Sequence, residues 1–392
     1  MPVTHKNRLQ TTISAVGSAG LGAFTISTAS SGYRTFAAGD DGKTFDVLIT
    51  EGTTWEVRTA CAYTHSGTSL ARGTLEDSST GSAITFTSAA IVTVVGSAGF
   101  GNNAENTFQS IIPGGRLTLE SGVPVSTTDQ TAKTNIYYTP YINNIVNLWD
   151  GNEWVPTIFS ETTEALGTLT SGLPYDILGF LNSGVLDLEK LAWTNDTTRA
   201  TAITLQDGRY CKSGDKTRLY LGTFYTTSTT TTEDSAGGTT TKVGGKRYLF
   251  NMYNRVPRDL YMRDTGADWV YKTAAWRVAN GATAPTCCVQ FMLGMPSSIL
   301  ADYRQTTALS NTTGRAMCGV GLDNSTPIGI QQGGYADLSA NYVISALGAQ
   351  YGATIAEGKH YIAALEYGAP GTDCQFSGGA TGQTGLHTKV NM

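Results

Sequence analysis

Residues able to do chemistry are sparse in this chain and badly grouped for it. Ala37-Ala38-Gly39-Asp40-Asp41-Gly42-Lys43-Thr44 has the ending of a phosphate-binding loop, whose glycines let backbone N–H groups cradle phosphate ahead of a helix. Here the first glycine is replaced by Ala37 and the residues that follow, Thr44 to Thr50, alternate like a strand, so the context such a loop needs is missing. Asp187 and Glu189 share one face of a strand, and a glycosidase needs two carboxylates about 5 to 10 Å apart. They alternate with Leu186 and Leu188, which puts them on the solvated side of that strand. The four histidines, His5, His65, His360 and His387, show no HxH or HxxxH spacing for a metal and no serine in a GxSxG elbow. Asp40, Asp41 and Asp46 lack the EF-hand pattern and read as turn residues. The expectation is a chain with no catalytic residue, no bound cofactor and no metal site.

The six cysteines, Cys61, Cys211, Cys287, Cys288, Cys318 and Cys374, have no zinc-type spacing and read as buried, reduced small hydrophobes. Adjacent Cys287 and Cys288 would face opposite ways if their segment were a strand, and each could then bond a different neighbouring chain. Asn195-Asp196-Thr197, Asn311-Thr312-Thr313 and Asn324-Ser325-Thr326 match the glycosylation acceptor pattern. The N-terminus, Met1 to Arg8, is followed by polar and small residues with no secretory core, so the match has no mechanism behind it and synthesis in a cytoplasm is expected.

The elements that would carry these residues are short apolar alternations cut by glycine. Ala23-Phe24-Thr25-Ile26, Thr44 to Ile49, Thr54-Trp55-Glu56-Val57-Arg58 and Ala83-Ile84-Thr85-Phe86 have the period of two of half-buried strands. Turns fall at Asp40-Asp41-Gly42 and Glu51-Gly52. Further strands are expected at Gly115–Glu120, Asn135–Tyr138, Leu173–Ile177, Val185–Leu191, Arg218–Tyr225 and His360–Tyr367. Trp149 and Trp154 flank a hairpin in which Asp150-Gly151 suits a primed turn, and the two indoles should meet across it. Glu161 to Leu169 suggests a short helix, while Thr229 to Thr232 with Glu233–Gly238 suggests an exposed loop. Trp55, Trp193 and Trp276 sit in alternating runs and are expected in the core.

The fold class expected is mainly β, as several small antiparallel sandwich or barrel modules in series. An N-terminal module covers residues 1–95, a Gly-rich linker 96–112, a central β module 113–280 and a C-terminal β-sandwich 281–392. Charged residues make up only 15% of the 392, against about 25% in average soluble proteins, and the 46 glycines suit turns. A formal net charge of -5 offers no basic field for nucleic acid, and no run is long enough to cross a bilayer as a helix.

Two stretches carry a resemblance. The first comprises Gly32-Tyr33-Arg34-Thr35-Phe36, Gly42-Lys43-Thr44-Phe45, Trp55-Glu56-Val57, Thr68-Ser69-Leu70-Ala71-Arg72 and Ser78-Ser79-Thr80-Gly81-Ser82, and it resembles an N-terminal module that recurs in structural proteins of tailed bacteriophages. The second comprises Leu191 to Thr201, Gly222 to Thr227 and Tyr253-Asn254-Arg255-Val256-Pro257-Arg258, and it is similar to modules of virion head, neck or tail-fibre proteins. The resemblance implies a particle component and leaves its position on the particle open; the reading expected first is a non-enzymatic fibre or spike attached through residues 1–95, with a distal part that could touch a host surface glycan. A capsid or neck decoration protein and a glycan-degrading spike are the competing readings. Sheet edges are well protected when identical chains wrap around a threefold axis, so a homotrimer among other virion proteins is expected.

Overall fold

The computed structural model describes residues 9–95, 112–310, 314–336, 343–370, 373–379 and 384–392. The N-terminal residues Met1 to Arg8 with His5, and nearly all of the expected linker, lie outside them. The fold is mainly β; the longest helix among the described residues has four residues, Gly17–Gly20. The chain forms two compact units, Met1–Gln109 and Ser110–Met392.

In the first unit the strands are β1 (Gln10–Val16), β2 (Phe24–Ala29), β3 (Thr44–Glu51), β4 (Thr54–Thr64), β5 (Ser69–Leu70), β6 (Thr74–Ser78) and β7 (Ile91–Val94). Their order β3-β7-β1-β2-β5-β4 returns to β3, closing a six-stranded barrel, and β6 adds to the free part of β4. Closure leaves no open edge in that ring. Phe24, Phe36, Val47, Ile49, Tyr63, Leu70, Phe86 and Val92 fill it. Ala83 to Phe86 is not a strand: Ile84 donates its N–H to Glu56 instead of to a ladder, while Phe86 still turns inward.

Strand β4 breaks the polarity rule that its sequence suggests. Glu56 and Arg58 point inward, Glu56 with no exposed surface, whereas Trp55 and Val57 are only half-buried. The Glu56 carboxylate receives Arg58 Nε at 2.8 Å and Arg72 Nη2 at 2.8 Å, as well as the Ile84 N–H. Arg72 also lies over the rings of Phe24 and Phe86, at 5.5 and 5.1 Å. A buried carboxylate is tolerable only when clamped in this way. Burial alone would raise the Glu56 pKa, but the arginines and the backbone N–H outweigh it and hold the group below its ordinary 4.5.

The second unit holds one large sheet and three smaller ones. In the large sheet, ten strands form a closed path: Ser297–Ser310, Val343–Ile355, Ile328–Ala336, Gly314–Leu322, Gly358–Tyr367, Cys288–Leu293, Gly244–Arg247, Thr232–Gly237, Pro257–Arg263 and Gly385–Asn391, which pairs back with Ser297–Ser310. Leu260, Phe291, Ala301, Tyr303, Val320, Leu365 and Leu386 lie in the core it surrounds. The expected seam at Gly281 is not a sheet boundary, because Lys246 pairs with Gln290 and Trp276 with Tyr367 across it. Nor is Glu233–Gly238 an exposed loop: Thr232–Gly237 is a strand of this sheet whose Asp234 is paired with Arg247 and Arg258. The helix expected over Glu161 to Leu169 is instead the short strand Thr162–Ala165, paired with Asn135–Pro140. The β-branched Thr162 and Thr163 favour that pairing over a helical turn.

The smaller sheets share a second core of Leu117, Ile136, Tyr138, Val146, Ile177, Leu221 and Phe224. Trp149 and Trp154 do meet across their hairpin, centroids 5.5 Å apart. The connection is a four-residue loop, however, since Asp150 Oδ1 accepts the N–H groups of Asn152 and Glu153 and takes the chain out of a two-residue turn. Sheet and core are riveted by Arg199, whose side chain is 6% exposed. Its guanidinium bonds Asp176 at 2.8 Å, Glu357 at 2.8 Å and the Gly294 carbonyl, and it stacks 4.3 Å from the Trp193 ring.

Two outcomes follow. Arg199→Met strands the buried Asp176 carboxylate, and urea denaturation should show a loss of about 3 to 5 kcal/mol in the second unit. In the first unit, a carboxylate whose folded pKa is depressed contributes stability that is complete above its unfolded pKa and disappears as pH falls through the folded value. Acid unfolding followed by tryptophan fluorescence should therefore begin below about pH 4.5, and Glu56→Gln should lower stability at pH 7 while flattening that acid dependence.

Candidate ligand-binding face

On the large sheet, register brings residues distant in sequence into rows on one outer face. Tyr261 pairs with His387, His387 with Asp302, Asp302 with Gln350 and Gln350 with Ile330, so one row crosses five strands. A neighbouring row runs Arg263, Gly385, Arg304 and Gly348, and on the other side lie Asp259, Lys389, Leu300 and Gly352. The alternate residues of the same strands, Leu260, Met262, Ala301, Tyr303, Leu386 and Thr388, are buried. Period-two geometry thus separates a packed inner face from an outer one that carries side-chain functionality.

Glycines in the outer rows leave depressions where side chains would stand. A hollow of about 580 Å³ is lined by Asp302, Arg304, Thr306, Ile330, Gln331 and Gln350 with Gly348. A second, of about 390 Å³, is lined by Tyr261, Arg263, Leu300, Asp302, Arg304 and His387 with Gly385. Asp302 and Arg304 stand between them. Asp302 Oδ1 receives Arg304 Nε at 3.0 Å and Oδ2 receives Gln350 Nε2 at 2.9 Å. Partial burial works against its charge, but these two donors prevail and keep the carboxyl below the ordinary range. Arg304 is 77% exposed, Leu300 58% and Ile330 70%. The rings of Tyr261 and His387 stack at 4.8 Å and 11°, with His387 Nε2 held 2.8 Å from Asp259 Oδ1.

Asp302 is the only carboxylate among the described residues that line either hollow, and hydrolysis of a glycosidic bond by the usual route uses two, one of them with a raised pKa. A carboxylate held ionised accepts hydroxyl hydrogens; it does not deliver a proton to a leaving group.

The residues singled out from the sequence lie elsewhere, except for His387. Glu189 is clamped by Lys212 at 3.0 Å and Arg218 at 2.6 Å, and Asp187 bonds Asn182 and the Leu188 N–H, so the pair serves its own sheet. Asp40 pairs with Arg34, Asp41 caps the His65 N–H and Asp46 the Ala60 N–H, each in a separate local contact. After Ala37 comes a three-residue turn, Ala38–Asp40, and then β3, so no helix N-terminus faces the Gly39–Lys43 loop. His360 is held by Asp323 at 2.7 Å, and His65 is exposed beside Tyr63. Trp193 is buried and Trp276 packs on the main core, while Trp55 is half-exposed. Tyr261, Asp302, Arg304, Gln331 and Gln350 escaped attention because only strand register assembles them. The nearest sequence signal is the alternation Leu300-Ala301-Asp302-Tyr303-Arg304.

All six thiols are buried, Cys287 and Cys288 included. Cys287 stands at φ +56 just before the strand Cys288–Leu293, so the strand-face argument for two outward thiols does not apply to it. Burial raises both to about 12, and Cys61 and Cys211 to about 11.

No family model and no curated protein matches the chain. A solved structure, a tryptic core variant of Cry1Da from Bacillus thuringiensis, aligns over 73% of this chain and 53% of its own at 9% identity, with a TM-score of 0.15. The chain thus spans about half the length of that neighbour, and so low a score carries no argument. No helix among the described residues is long and apolar enough to cross a membrane.

The burial of the cysteines has a direct readout. Ellman's reagent at pH 7.5 should leave the native chain unlabelled and titrate all six thiols after guanidinium unfolding. A band above the monomer on a non-reducing gel would contradict the burial.

Proposed function

We propose that this chain is a non-enzymatic structural component of a tailed bacteriophage particle, a fibre or spike that is attached through its N-terminal unit and presents its second β unit to the host surface. The observation that carries the reading is where the charge goes. In both units buried acids such as Glu56, Asp176 and Glu366 are bound by arginines and hold strands together, while the first unit's sheet and the large sheet of the second close on themselves. Such a chain is building material with an exposed binding face. Glu56 and Arg72 both lie within the stretches that resemble the phage N-terminal module, and they form a buried ion pair in this unit. A homotrimer fits the same reading, since a threefold assembly shields the open edges of the smaller sheets.

Mass spectrometry of purified virions should detect the chain, and immunogold electron microscopy should place it on an appendage. Native mass of the purified protein should be three times the chain's 41.4 kDa. Label spread over the head would move the chain to capsid decoration, and a monomeric mass would remove the trimer.

A further inference from the structure

The outer face of the large sheet carries its charge unevenly. The larger hollow is neutral overall: Asp302 is matched by Arg304, and Thr306, Gln331 and Gln350 add hydroxyl and amide groups beside the apolar Ile330. The smaller hollow adds Arg263 and His387 to the same Asp302 and Arg304. Arg263 has no carboxylate within ion-pair distance among the described residues, and it stands two strand spacings from Arg304 with only Gly385 between them. Two guanidinium groups therefore border a depression that holds one carboxylate, itself already bonded to one of them. That leaves cationic capacity for an incoming anion, next to the stacked Tyr261 and His387 rings and the exposed Leu300.

The dimensions favour an extended ligand. Five adjacent strands span about 19 Å at the usual spacing between strands, room for several sugar rings in line. Aromatic ring faces and aliphatic side chains suit the C–H faces of sugars, amides and carboxylates suit their hydroxyls, and arginine pairs with a carboxylate in bidentate fashion.

We infer that this face binds an acidic polysaccharide, with a uronate or similar carboxylate sugar in the smaller hollow against Arg263 and Arg304, and neighbouring neutral sugars over Asp302, Gln331, Gln350 and Ile330. The inference rests on the virion reading only for the source of the ligand, a cell-surface polysaccharide; the chemistry of the face stands without it.

The purified full-length chain, applied to an array of neutral and uronate-containing oligosaccharides of four to eight sugars, should retain the uronate-containing ones. Calorimetry on a retained compound should show affinity falling as salt is raised. Arg263→Gln and Arg304→Gln should each weaken binding about tenfold or more, as expected for losing one charge-assisted contact. Lys216→Gln, an exposed cation on another sheet, should change nothing. Both arginine side chains project from the outer face, and thermal melts matching the parent would show that the variants fold. Retention of no saccharide, retention of neutral compounds alone, or undiminished affinity in both arginine variants would overturn the inference. Binding by a chain absent from virions would overturn the particle reading and leave this one standing; a virion chain that retains nothing would do the reverse.

Discussion

Arg199 ties the sheet that carries Asp176 to the large sheet of the second unit, two sheets that no strand ladder joins among the described residues. Its guanidinium reaches Asp176 on the strand Pro174–Asn182, the Gly294 carbonyl after the strand Cys288–Leu293 and Glu357 just before Gly358–Tyr367, while Trp193 covers its face. A flat cation with five donors is suited to this work, since it bonds in several directions within one plane and leaves its faces apolar. Tyr220 and Thr223 complete the polar surroundings through their hydroxyls, the latter donating to Asp176 at 2.6 Å. Once several strands depend on one buried charge, the geometry around it is strongly constrained: a shift of any strand leaves a carboxylate or a guanidinium without a partner in a dry interior.

The same device recurs at other joints. Glu56 gathers β4 and the segments carrying Arg72 and Ile84; Glu366 receives Trp269 Nε1 and Arg277 Nε, both at 2.6 Å; Arg116 reaches the carbonyls of Pro124, Asn254 and Met392. A chain with so few charges puts a good share of them inside. Closed strand paths and buried clamps answer two different demands: the first satisfies backbone groups at sheet edges, and the second fixes how irregular segments pack over a core.

Fold class was legible because alternation is a local property. Thr44–Glu51 announces itself through apolar residues at every second position, and Pro174–Asn182 and Gly358–Tyr367 do so through short apolar runs buried on both faces. The phase of an alternation is less secure: in Thr54-Trp55-Glu56-Val57-Arg58 hydrophobicity favours burying Trp55 and Val57, but the partner that reverses the choice, Arg72, lies on a later segment. Thr162–Ala165 owes its strand character to a partner 24 to 30 residues away, Asn135–Pro140, and Thr232–Gly237 lies between the nearby Gly244–Arg247 and Gln130–Lys133, whose paired residues are 99 to 104 positions away. The candidate face was invisible for the strongest form of this reason. Its rows combine five strands, and no stretch of sequence contains more than three of its polar side chains at strand spacing.

The strand Ser297–Ser310 belongs at once to the core and to the outer face, and its alternation keeps the two apart. Ala301, Tyr303 and Gln305 answer to the interior, whereas Leu300, Asp302 and Arg304 answer to whatever lies outside. Substitution at the outward positions can therefore change the chemistry of that face without renegotiating the fold. An insertion of one residue in that strand would do the opposite, exchanging the two sets along its length.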